Sequence, residues 1–168
     1  MLIKQKHLFS KEECESIISS SNVEYQKGWN TNDRRYNSQA IDYSLETSWI
    51  FDRLKTFVEI ETDIEFRTIK KQIHFHVFKK GDWFGKHNDT RDTRVYAVGV
   101  LLNDNFEAGD FNLYNQDKMA LNKVAGNAYI FDVRIEHEIT PILEGERYSL
   151  LWFLQKENIK FKTDKLIW

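Results

Sequence analysis

The sequence predicts an α+β domain: a β-sandwich or barrel with helices packed on one outer face. Three observations predict it. Apolar residues recur at helical spacing early in the chain, and they alternate at strand spacing after Asp63. Gly or Asn stands near most breaks between the later apolar segments. A pair of helices followed by a run of short strands is the pattern of a sheet covered on one side.

The first helix is announced by Ser10-Lys11-Glu12-Glu13, a capping box in which Ser10 accepts from the Glu13 amide and Glu13 reaches back. Cys14, Ile17 and Ile18 then form one apolar face. A second helix is expected over Glu46–Glu61, with Trp49, Ile50, Leu54, Phe57 and Val58 on one stripe. The helical part thus covers residues 10–62 and the β core residues 65–155. Ile73–Phe78 alternates as a strand, and Arg94–Leu102 is rich in β-branched and apolar residues. Shorter strands are expected at Phe111–Tyr114, Ala128–Phe131, Glu136–Thr140 and Tyr148–Leu154.

The 168 residues suit one domain over 1–168, and 41% hydrophobic residues suffice for a core. A formal charge of −2 gives no field that would steer the chain to nucleic acid or an acidic membrane. A lone cysteine, Cys14, permits no internal disulfide. The N-terminus lacks a signal-peptide apolar run, and no stretch approaches the roughly 18 apolar residues of a membrane span. A cytoplasmic location is the default expectation.

His87-Asn88-Asp89 places an imidazole and a carboxylate two residues apart, on one side of an extended segment. His137 follows 50 residues later, far enough for several strands to return it. Two histidines and one carboxylate on one face of an octahedron is the non-haem Fe(II) oxygenase arrangement. Taken alone, His-x-Asp is a weak signal and His137 reads as a core histidine. Arg147 and Ser149 add specificity: they alternate in a strand after the turn at Gly145 and share a face. A guanidinium grips a carboxylate at two points, and a hydroxyl can add a third. Arg147 could otherwise pair with Glu144 or Glu146 at the surface. His74 and His76 face either solvent or the barrel interior with Phe78.

From Phe9 to Leu154 the chain resembles the prolyl 4-hydroxylase-like group of the 2-oxoglutarate/Fe(II)-dependent oxygenase superfamily. The resemblance is carried by Phe78-Lys79-Lys80-Gly81 before His87-Asn88-Asp89 and by Val100-Leu101-Leu102-Asn103-Asp104 with Phe106-Glu107-Ala108-Gly109-Asp110-Phe111. It continues in Ala125-Gly126-Asn127-Ala128-Tyr129-Ile130-Phe131, His137-Glu138-Ile139-Thr140-Pro141 and Gly145-Glu146-Arg147-Tyr148-Ser149-Leu150. It implies a double-stranded β-helix, or jelly-roll, core. His87, Asp89 and His137 would be the catalytic iron ligands. Arg147, helped by Ser149, would bind the distal carboxylate of 2-oxoglutarate.

The implied cofactors are Fe(II), 2-oxoglutarate and O2, with ascorbate admitted as reductant. The implied reaction hydroxylates a C–H bond and releases succinate and CO2. The substrate would be a peptidyl proline, another protein side chain or a small molecule, with neither membrane nor nucleic acid as partner. Oligomeric state is not legible. Asp89 separates the chain from related halogenases, which lack the carboxylate ligand.

Two departures stand out. Phe78 occupies a position where the family usually has Tyr, and Ala108-Gly109-Asp110 replaces the usual Gly-Gly-Glu. The alternative function is a cupin-type metal-binding barrel without 2-oxoglutarate-dependent activity, against which Arg147 argues. Substrate choice is expected in the loops Asn30–Asp42 and Asp89–Thr93. Trp83 and Phe84 would line the pocket mouth or pack in the core. The lysine-rich tail Lys156–Lys165 reads as solvated, with contact to an anionic substrate the lesser reading.

Overall fold

The computed structural model describes residues 1–21 and 27–162. The elements run β1 (Ile3–His7), α1 (Lys11–Ser20), β2 (Lys27–Asn30), β3 (Arg34–Asp42), α2 (Ser48–Glu61), β4 (Ile64–Phe66), β5 (Gln72–Phe78) and β6 (Trp83–His87). They continue with β7 (Arg94–Leu101), β8 (Glu107–Ala108), β9 (Phe111–Asn115), β10 (Asp117–Ala120), β11 (Asn127–Asp132), β12 (Glu136–Ile139), β13 (Ile142–Glu144) and β14 (Arg147–Gln155). A 3-10 turn (Lys156–Asn158) leads into β15 (Ile159–Phe161).

The main sheet has the order β1-β11-β7-β14-β5-β3-β6-β12-β9-β10, with β2 paired to β3. It is antiparallel and curls into the jelly-roll core expected from the sequence. Small sheets β8/β13 and β4/β15 close its ends.

The two faces of β5, β14, β7 and β11 have different tasks. Ile73, Phe75, Val77, Val98, Val100, Ala128, Ile130, Leu150 and Trp152 point to one side. There they meet Cys14 and Ile17 of α1 and Ile50, Phe51, Leu54, Phe57 and Val58 of α2. Burying this apolar face is the main stabilising term, at about 25 cal/mol per Å² of apolar surface removed from water. The capping box forms: the Glu13 amide donates to Ser10 Oγ at 3.1 Å, and the Ser10 amide donates to Glu13 Oε1 at 2.9 Å. Glu13 also pairs with Arg53, tying α1 to α2.

The opposite face lines a cavity. His74, His76 and Phe78 share it, as the alternation from Ile73 requires. Ser149, Leu151 and Phe153 contribute from β14, and Arg147 lies on the same strand face beyond Ser149.

The segment between the helices corrects an expectation. Asn30–Asp42 is not a loop: β3 occupies most of it and is inserted between β5 and β6. Its residues, Arg34-Arg35-Tyr36-Asn37-Ser38-Gln39-Ala40-Ile41-Asp42, are mostly polar. Pairing with distant strands, rather than intrinsic preference, makes this segment a strand. The stretch 10–62 is therefore mixed rather than helical. The tail begins as structure too, since Ile159 is buried and β15 pairs with β4. The rest of the Lys156–Lys165 expectation, residues 163–165, lies outside the described residues.

Candidate active site

The strand register builds the candidate metal centre. β6 and β12 pair antiparallel with His87 directly opposite His137, so two imidazoles 50 residues apart in sequence project side by side. Asp89 lies just beyond β6, where its amide donates to the Val133 carbonyl at 2.9 Å. His137 Nε2 is 3.2 Å from Asp89 Oδ2, and His87 Nε2 is 3.6 Å from Asp89 Oδ1. Ligand atoms at right angles about 2.1 Å from one ion would stand roughly 3 Å apart, so the set needs little adjustment to close on a metal.

The tautomers fit as well. His87 Nδ1 donates to the Gly85 carbonyl at 2.6 Å, and His137 Nδ1 donates to the Ile135 carbonyl at 2.9 Å. A carbonyl oxygen only accepts, so each Nδ1 carries the proton and each Nε2 lone pair faces Asp89. Aromatic rings fix the imidazole planes: Phe84 stacks on His87 at 3.8 Å, and Phe131 meets His137 edge-on at 4.9 Å. Burial alone would raise the Asp89 carboxyl. The His137 and His87 rings beside it, whose Nε2 atoms can donate to Asp89 only while no metal takes their lone pairs, outweigh burial and hold it well below the usual carboxylate range. The group is an anion ready for a cation.

A cavity of about 560 Å³ opens beside this triad. Phe84 lines it, and so do His74, His76, Ser149 and Tyr129. Trp83 points the other way along β6. Arg147 stands at the far end of β14, directly opposite Phe78, and is 2% exposed. One Nη donates to Ser149 Oγ at 3.0 Å, while Nε is buried without any partner. Among the described residues no carboxylate pairs with it. Burial pulls this guanidinium down, opposed by a hydrogen bond with the Tyr129 phenol. A buried cation with a spare donor and no counter-ion is costly unless an anion completes it.

Tyr129 escaped the sequence reading. It is buried on β11 beside Gly99 of β7, and burial pushes its phenol up. A Cβ at Gly99 would stand 2.2 Å from the phenol oxygen, so the missing side chain makes room for the ring. A glycine in mid-strand with aromatic residues alternating on a neighbour was the available signal. The phenol absent at Phe78 thus arrives from another strand. Tyr36, stacked on Phe78 at 4.9 Å, is a second buried phenol at the same wall.

Residues 73–155, which hold the triad, Arg147 and Ser149, match the family model described as the 2OG-Fe(II) oxygenase superfamily. The chain belongs to that superfamily. It is an Fe(II)- and 2-oxoglutarate-dependent dioxygenase that uses O2, and the cupin-type alternative is set aside. Among solved structures the oxygenase is similar to a Pseudomonas putida prolyl-4-hydroxylase, with 19% identity, TM-score 0.74 and 92% of each chain covered. It is also similar to a viral collagen prolyl hydroxylase from Paramecium Bursaria Chlorella virus-1 in complex with 2OG, with 16% identity, TM-score 0.68, and 90% of this chain and 94% of that one covered. A non-heme alpha ketoglutarate dependent epimerase from nogalamycin biosynthesis shares the fold at 11% identity and TM-score 0.72, covering 98% of this chain and 82% of its own. No curated protein matches the oxygenase in sequence. No helix among the described residues is long and apolar enough to cross a membrane.

Proposed function

We propose that residues 1–168 act as one oxygenase domain in which His87, Asp89 and His137 hold Fe(II) and Arg147, with Ser149 and Tyr129, holds the distal carboxylate of 2-oxoglutarate. The substrate class is a compact C–H donor, such as a prolyl or other amino-acid side chain. The observation that carries this reading is the buried, unpaired Arg147 on the same strand face as the triad's cavity. When bound, the iron and its co-substrate supply oxidative decarboxylation coupled to hydroxylation.

The chain's own residues do the rest. The Gly85 and Ile135 carbonyls each accept from Nδ1–H, so Nε2 is the ring atom aimed at the metal position. Arg147 offers a planar fork, and the hydroxyls of Ser149 and Tyr129 can each add a hydrogen bond. Phe78 and Leu101 exclude water from this end. The strict alternation of β14 puts the carboxylate grip and the cavity on one side.

The test is titration of 2-oxoglutarate into protein carrying Mn(II) in place of iron, with oxygen excluded. Arg147→Ala should weaken binding about 100-fold if roughly 2.7 kcal/mol is lost. Arg147→Lys should weaken it less, keeping the charge without the fork. Metal affinity measured without co-substrate should hold in both and collapse in His87→Ala and Asp89→Ala. Unchanged 2-oxoglutarate affinity in Arg147→Ala would sink the assignment.

A further inference from the structure

Arg34, Arg91 and Arg94 line the cavity beside the triad, apart from Arg147, and Arg94 is one that the co-substrate cannot use. Arg94 opens β7, five residues after Asp89, and is paired in register with Gln155 of β14. Its guanidinium carbon sits over the Phe153 ring, 3.7 Å from the centroid, and its Nε is buried without a partner. Among the described residues it makes no ion pair.

Phe153 and Arg147 lie on the same face of β14, six residues apart, which is about 20 Å along a strand. A five-carbon dicarboxylate gripped by Arg147 cannot span that distance. Arg94 therefore faces whatever else enters the cavity.

Other basic groups gather around it. His74 of β5 lines the same end, opposite Leu151. Burial, and after it the nearby charges of Lys70, just before β5, and of Arg94, disfavour protonation of His74, so its ring meets an anion as a neutral N–H donor. Arg91 lines the cavity from the loop after Asp89. A guanidinium that serves only to cover an aromatic ring keeps its edge in water or bonded to the protein. Here the ring covers the guanidinium on one side, Nε is left without a partner, and the remaining donors face the cavity.

We infer that Arg94, with His74 beside it, is a second anion subsite, and that the oxidised substrate carries a carboxylate which this subsite reads. The inference rests on the proposed active site, because the same cavity must also hold the co-substrate. A cavity of about 560 Å³ that houses both suits an amino-acid-sized acid, free or displayed on a peptide.

The test uses the full chain loaded with Mn(II) and saturating 2-oxoglutarate under nitrogen, with binding read by tryptophan fluorescence and melting temperature. One arm titrates N-acetyl-L-proline and pentanoate against their neutral amides. A second titrates a blocked acidic pentapeptide against its asparagine counterpart. The acid should bind at least tenfold more tightly than its neutral partner in one arm, and that arm identifies the source. Arg94→Gln should erase the preference and Arg94→Lys should keep part of it. Affinity for 2-oxoglutarate should change less than twofold in either variant, which separates this subsite from Arg147. Equal binding of acids and amides by the wild type, no binding of any probe, or an undiminished preference in a folded Arg94→Gln protein would overturn the proposal. Loss of 2-oxoglutarate binding in the wild type would instead overturn the proposed active site.

Discussion

His76 is a titratable side chain sealed into the cavity wall, against Tyr36 at 4.9 Å and beside Phe78. Burial, reinforced by the charges of His74 and Arg147, drives its pKa from 6.5 down to about 3. The unfolded chain binds a proton here below about pH 6.5, and the folded chain refuses it until about pH 3. Stability conferred by a neutral His76 is therefore complete above 6.5 and falls as pH drops through that window, by at most about 1.4 kcal/mol per pH unit. Melting of the metal-free protein between pH 7.5 and 5 should show this slope, and His76→Gln should flatten it. An identical acid limb in the variant would contradict the assignment. Tyr129→Phe removes one neutral hydrogen bond, worth about 1 kcal/mol, and should weaken 2-oxoglutarate about fivefold in the Mn(II) titration. Unaltered affinity would mean that the phenol only orients Arg147.

Among the elements, α1 and β7 give contrasting cases. The reciprocal Ser10/Glu13 bonds satisfy amides that the first turn of α1 leaves free. Ser10→Ala should cost about 1 kcal/mol in urea unfolding, and a loss below a few tenths would show the box to be incidental. In β7, Gly99→Ala drives a Cβ into Tyr129 and should cost roughly 1–3 kcal/mol as overpacking. Combining it with Tyr129→Ala should recover part of that loss, a coupling readable from a double-mutant cycle. The box and the β5 alternation were legible because each is written within six residues. The two- and three-residue strands β8, β13, β4 and β15 were not, because such lengths hold no period to read. β3 was missed because the partners that seat it in the main sheet, β5 and β6, lie thirty or more residues away. The grouping of His87, Asp89 and His137, proposed as the metal triad, was legible for the opposite reason: His-x-Asp, the 50-residue gap and Arg147 ten residues beyond are all spacings along the chain. Tyr129 meets Arg147 only through the order of strands in space, which no spacing records.

At the scale of the whole molecule, the place of β3 carries a consequence for how the protein can be divided. Residues 73–155 contain every side chain proposed to touch iron or 2-oxoglutarate, and they are the residues the family model matches. Yet the sheet passes from β5 to β6 only through β3, which lies outside them. A third of the buried residues in the cluster on the outer face also come from α1 and α2. A fragment of residues 70–162 should show poor amide dispersion by NMR and no tight Mn(II) site, although it has all three metal-binding side chains. Well-dispersed spectra would refute this. The hereditary signature and the mechanical unit are different objects here: the first is a contiguous text, while the second is sewn shut by a strand drawn from outside it. Mutations in β3 should therefore loosen the grip on metal from positions that no comparison of active-site motifs would flag.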